Sequence, residues 1–304
     1  MSMAPLLEKM VIFVVLMVLG YLCSRSGMIS RSFSRDASKL VINVFMTGTI
    51  INSVLGLENT MDGAEFFNIM LVLSVTILIA WLLGAPLSRT VPMADDQRPV
   101  YELQIAVMNS MFISLPVLSE VFGGKAVFLC SLSCLPYNVL LFTYGTGRLK
   151  KDGSGVHIRD VFSVPFVSTL IALAIFIFRP PIPGVVSNLI TTMANATMPL
   201  SMLVVGAALG TVNLLESFTD AKLYLMAFVR LIVCPLLVWF VAGWLTDDSL
   251  LRAAAMIVAA APTGIIVTSL SLQYERDAVF ASKGVLLTTA LSMLTIPALV
   301  YILL

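Results

Sequence analysis

Along the chain, apolar residues gather into long runs. Ten can be drawn, over residues 6–25, 38–57, 66–88, 100–122, 126–147, 161–179, 186–210, 222–245, 250–273 and 281–303. Each is close to the ~20 mostly apolar residues that a helix needs to cross a bilayer. The pattern predicts an all-α membrane protein of ten transmembrane helices. Connections between the runs are short. The longest, GRLKKDGSGVHIRD at 147–160, is polar, charged and glycine-containing, and falls in mid-chain. It divides the sequence into a first five-helix repeat (1–147), a cytoplasmic linker (148–160) and a second five-helix repeat (161–304).

Lysine and arginine set the orientation, because cytoplasmic loops carry their excess. Thirteen of the 18 lie in the loops after the first, third, fifth, seventh and ninth runs. The other side holds Lys9, Lys125, Arg179 and Arg252, and Arg230 lies inside the eighth run. The first set is predicted to be cytoplasmic, with both termini external. An odd number of spans per half inverts the second repeat relative to the first. Internal likeness agrees. NVFMTGTI in the second run and NATMPLSM in the seventh share Asn and Met in step, which sets Thr47 opposite Pro199. The fifth and tenth runs carry Pro136 and Pro297, and the fourth and ninth carry Pro116 in ISLPVLS and Pro262 in AAAPTGIIVTSLS.

Inverted repeats with interrupted helices in matching positions are the best sequence pointer to a transporter's binding site. Proline removes a backbone donor and collides with the carbonyl four residues earlier. The break exposes unpaired amides and the positive dipole end of the following half-helix. Two such breaks near the midplane suit an anion, most simply a carboxylate. Candidate binding residues are therefore Asn109, Ser110, Ser114, Thr263 and Thr268 for hydrogen bonds, Pro116 and Pro262 for the breaks, and Gly264 for close backbone approach. Each has a structural alternative: prolines that only kink, an asparagine that joins two helices, hydroxyls that satisfy freed backbone. Arg230, about 12 Å into the eighth run at 1.5 Å per residue, either snorkels to the cytoplasmic surface or faces a cavity and holds an anion. Glu102 and Glu120, near opposite ends of the fourth run, are expected to reach the interfaces. That leaves no carboxylate at the midplane and no visible sodium or proton site. His157 is expected to be solvated in the linker, and GAALG (206–210) to serve helix packing.

Composition closes off other classes. The chain is 59% hydrophobic and 12% charged with a mean hydropathy of +1.01, more apolar than any soluble core of 304 residues requires. A net charge of +1 without a basic tail gives no footing for nucleic acid. The amino terminus lacks a secretory pattern, so its apolar run is expected to be the first membrane helix. Cys23, Cys130, Cys134 and Cys234 are scattered in or at the ends of apolar segments, an arrangement that suits neither disulfides nor a metal. Phosphate-cradling, dinucleotide and metalloprotease patterns are absent, and no enzyme activity or cofactor is expected.

LGYLCSRSGMIS (19–30), ATMPLSMLVVGAALG (196–210), AAAPTGIIVTSLSLQYERDAVFAS (259–282) and TTALSMLTIPAL (288–299) together resemble the auxin efflux carrier family, including its bacterial members for small organic acids. The likeness spans nearly the whole chain. It implies two inverted five-helix repeats whose fourth and ninth helices cross at prolines matched by Pro116 and Pro262, with Asn109 in the substrate pocket. It also implies elevator motion of the crossover-bearing part against a scaffold of the first, second, sixth and seventh helices, which would form a homodimer. Two departures stand out. SMFISL occupies the interval where the family has glycines, and Thr47 stands where it often has proline. The long hydrophilic loop of plant members is missing, which points to a compact carrier of the bacterial inner (plasma) membrane. The implied cargo is a small organic anion, a mono- or dicarboxylate such as malate or malonate, or an auxin-like acid. The alternative is a receptor or sensor that binds a small carboxylate or lipid on the same fold without moving it.

Overall fold

A computed structural model describes residues 3–55, 57, 62–150, 162–210 and 220–304. Most of the linker, His157 included, lies outside them. The described residues form helices α1 (Met3–Arg25), α2 (31–52), α3 (Gly63–Thr90), α4 (Arg98–Ala106), α5 (Ser110–Phe122), α6 (Gly124–Leu149), α7 (Val164–Phe178), α8 (Gly184–Gly210), α9 (Ala221–Leu245), α10 (Ser249–Ala260), α11 (Ile266–Gln273) and α12 (Ala278–Leu303). The protein is all-helical, and the only β pairing among the described residues is one isolated bridge. Five helices, within α3, α6, α8, α9 and α12, are long and apolar enough to cross a membrane, and four shorter apolar helices accompany them.

Local chemistry places the helix ends. Asp248 accepts from the amides of Leu250 and Leu251 at 2.8 and 3.2 Å, and Asp277 from Phe280 at 2.8 Å, so α10 and α12 start with capped amides. Ser30 caps Phe33 at 3.1 Å. That cap starts α2 at Arg31, seven residues before the apolar run predicted at 38, because a helix continues through polar sequence until its amides lose their partners. Widened i→i+5 turns occur at Val41–Phe45, Ser110–Ser114, Leu141–Gly145 and Val229–Val233. Two of them stand just ahead of Pro116 and Pro235. Shifting the hydrogen-bond register there lets the helix pass a residue that cannot donate.

Packing gathers the chain into two units, each drawn from both sequence halves. One comprises Met1–Phe67, Met111–Cys134 and Ser163–Asn213, and so holds α1, α2, α7 and α8 with most of α5 and the start of α6. Within it α1 and α8 touch backbone to backbone. A Cβ on Gly206 would overlap the Met17 carbonyl oxygen, and one on Gly20 the Leu203 carbonyl oxygen. The GAALG segment is thus a helix-packing seam. α2 is joined to α8 by the Thr49 hydroxyl, which donates to Thr197 Oγ1 at 2.7 Å, while Thr197 donates to the Phe45 carbonyl at 2.9 Å. Thr47 pairs with Ser168 at 2.9 Å. Gly206→Val is expected to leave little folded protein after solubilisation, whereas Gly147→Ala, with nothing within 4 Å of the added Cβ, should elute and melt like wild type. Size-exclusion profiles and thermal unfolding check both.

The second unit comprises Asn68–Ser110, Leu135–Phe162 and Leu214–Leu304. At one end of it four chain segments meet. Arg276 pairs with Asp96 at 3.2 Å and donates to the Leu149 carbonyl at 2.8 Å, and Gln97 donates to Asp277 at 2.8 Å. The Tyr101 hydroxyl donates to the Lys222 carbonyl at 3.2 Å. At the far end of α3 and α9, Asn68 donates to the Leu245 carbonyl at 2.9 Å. Glu102, four residues into α4, has no exposed surface. Arg148 donates to its Oε2 from Nε at 3.0 Å and Nη2 at 2.9 Å, and Tyr144 to its Oε1 at 3.0 Å. A carboxylate held by a two-nitrogen fork and a phenol has its charge met in the interior and has no need of water.

Candidate functional site

α4 ends at Ala106 and Val107 turns extended (φ −95°, ψ 111°). α10 ends at Ala260, and Ala261 turns extended as well (φ −58°, ψ 142°), as a residue ahead of proline prefers. Beyond these ends the two chains run antiparallel for three residues. The Asn109 amide donates to the Pro262 carbonyl at 2.8 Å and the Gly264 amide to the Val107 carbonyl at 2.9 Å, with Met108 opposite Thr263. Nine and twelve residues at 1.5 Å each give α4 and α10 a combined length of about 32 Å. That is close to the ~30 Å hydrocarbon thickness. The two half-helices end at this antiparallel pairing. Gly264 permits the approach, since a Cβ there would lie 3.2 Å from Val107 Cγ1 and 3.3 Å from the Met108 oxygen.

Side chains of the same unit satisfy the backbone that the breaks release. The Thr263 hydroxyl donates to the Gln104 carbonyl at 2.7 Å, and the Thr263 amide donates to Thr288 Oγ1 at 3.1 Å. Thr288 in turn donates to the Gly284 carbonyl at 2.8 Å. The Tyr137 hydroxyl donates to the Met108 carbonyl at 3.3 Å. Gln104 is clamped through its own amide to the Phe280 and Ala281 carbonyls at 2.9 and 3.2 Å. Gln104, Tyr137 and Thr288 were not singled out by the sequence. Their only signal there is that each is a polar residue within an apolar run.

Gln104 Oε1 is left without a partner in this frame, and beside that acceptor two side chains with unpartnered donors stand out. Asn109 is 6% exposed, and its Nδ2 donor has no partner. Arg230 is 0% exposed, so it does not snorkel. It sits in the widened turn of α9, which packs against α4, α10 and α12. Its Nη1 lies 3.5 Å from Cys234 Sγ, and its Nε and Nη2 have no partner. Tyr137, which bonds the Met108 carbonyl, is also an electrostatic neighbour of Arg230.

The remaining candidates separate. Ser110 is buried at the first turn of α5. Pro116 does not break the fourth span as its chemistry suggests. The break comes at 107–109, and Pro116 lies in a continuing helix within the first unit, with buried Ser114, because the widened turn at Ser110–Ser114 accommodates it. Pro262 does sit in the break of the ninth span. Thr263 has its hydroxyl engaged in the frame, and Thr268 is half-buried in α11 with its amide on the Ile265 carbonyl at 3.1 Å. Among the described residues, no group of three His, Cys, Asp or Glu is placed to hold a metal. The arrangement offers unpartnered hydrogen-bond donors. A family model described as membrane transport protein matches residues 5–164 and 153–300. No curated protein matches the chain.

Proposed function

The chain belongs to the membrane transport protein family, and from that premise we propose that it is a secondary transporter of small organic anions, bound beside the crossing of 107–109 with 262–264. The observation that supports this most is the Asn109 amide donor, buried and unpartnered at the point where two helices are interrupted. An unmet buried donor costs about 1–3 kcal/mol. A carboxylate arriving there meets that donor and the positive end of α11, the half-helix that begins just after the crossing in the same unit. Malate, malonate and auxin-like acids are the cargo we put forward. The spans form two inverted fives, and the unit that contains the crossing moves by an elevator cycle in the plasma membrane of a bacterium. The interleaving of both sequence halves in each unit supports this. So does the meeting of the α3–α4 connection, the end of α6 and the starts of α9 and α12 at one end of the second unit, as strictly alternating passages require. The purified protein in proteoliposomes should accumulate labelled malate, malonate or indole-3-acetate saturably and exchange it with unlabelled acid inside. Binding of an acid without any flux would replace the transporter with a receptor, and neither binding nor flux across the panel would end the anion assignment.

A further inference from the structure

We propose that Arg230 is the charge partner of the transported acid, a guanidinium that the fold leaves open for one carboxylate. This rests on the transport function above and assigns to that site its charge selectivity. Arg230 stands nine residues into α9, about 13 Å along a helix that crosses ~30 Å of hydrocarbon. A guanidinium keeps its proton and carries five donors. At that depth an isolated charge is expensive, and arginines there face a partner or a polar cavity. Among the described residues, the hydrogen-bond partner of its own atoms is a thiol alone, a weak acceptor, on Nη1.

No ion pair among the described residues involves Arg230. Glu102, the fully buried carboxylate of the same unit, is occupied by Arg148 and Tyr144. Among the described residues, the titratable neighbours of Arg230 are Cys234 and Tyr137, neither of them a carboxylate. What stays open is its Nε–Nη2 edge. That is the edge Arg148 presents to Glu102, where both nitrogens reach one carboxylate. The protein thus shows the same fork twice, once filled by its own side chain and once unfilled. A carboxylate fits the second fork in geometry and in charge. A carboxamide of the same shape brings one oxygen and no charge.

Thermal unfolding of purified wild type, R230M and R230K, with three acid–amide pairs as probes, tests this: benzoate and benzamide, malonate and malonamide, indole-3-acetate and indole-3-acetamide. Wild type is expected to be stabilised by at least one acid and not by its amide. R230M should melt no lower than wild type without ligand, since it removes an uncompensated buried charge. It should bind the acid about 10- to 150-fold more weakly and lose the preference for acid over amide. R230K should keep the preference at reduced affinity, having charge without the fork. A clear drop in the unliganded melting temperature of R230M would mean that the guanidinium is already satisfied and would overturn the assignment. Equal acid binding by wild type and R230M would overturn it while leaving the transport function intact. A wild type that no acid stabilises would overturn both.

Discussion

Asn109→Asp is expected to bind organic acids far more weakly than Asn109→Ala at neutral pH, and both more weakly than wild type. The alanine variant loses the free Nδ2 donor, worth roughly 1.5–3 kcal/mol when its partner is charged, or about 10- to 150-fold in affinity. Aspartate loses the same donor and adds a negative charge beside the incoming carboxylate. At ~4 Å and an effective dielectric of about 20 that repulsion is about 4 kcal/mol, close to a further 1,000-fold. The sign of the pH effect follows. Protonation removes the charge and restores a donor, so the aspartate variant should recover affinity as pH falls while the alanine variant should not. Isothermal titration of malonate and indole-3-acetate across pH decides it. An aspartate variant that binds like wild type at neutral pH would remove Asn109 from the site. If Asn109 serves only packing, both variants melt lower and keep wild-type affinity.

Arg148→Ala is expected to lower stability substantially while leaving a folded protein. It strips the fork from Glu102, a carboxylate with no exposed surface, and leaves it only the Tyr144 hydroxyl. Removing one partner of a buried pair costs about 3–5 kcal/mol. The lower end applies because the Arg148 side chain is itself 36% exposed and water can reach part of the vacated space. Glu102→Gln should be milder, since no charge is stranded in the interior. Arg148→Ala combined with Glu102→Gln should recover much of the loss. Unfolding temperatures of the three variants form the cycle. Additive losses in the double variant would show that the pair is not coupled.

The helices were largely written in the apolar runs, because a bilayer imposes one rule on every span. The break in the ninth span was legible too, since Ala-Pro-Thr-Gly is locally incompatible with a helix interior. The break in the fourth was not. Val107 and Met108 are ordinary apolar residues, extended here because 262–264 pairs with them from 155 residues away. Pro116 looked like the natural place for that break, and the widened turn ahead of it removes the reason. The burial and pairing of Glu102 were not legible locally, because its partner, Arg148, lies 46 residues on. Of the site, Asn109 was visible as an amide in an apolar run. Whether Arg230 turned outward or inward was open, because a uniform helical wheel cannot be drawn through an i→i+5 turn.

Such a turn contains one residue more than the α-helix needs for the same passage. One residue subtends 100° of an α-helix at 3.6 residues per turn. Insertion or deletion of a single codon at Val229–Val233 would therefore re-aim every side chain on one side of it by about a quarter turn. The span would keep its length to within 1.5 Å. Divergence in which side chains face inward could thus arise in this fold through single-residue length changes, with the helices themselves and their order along the chain untouched.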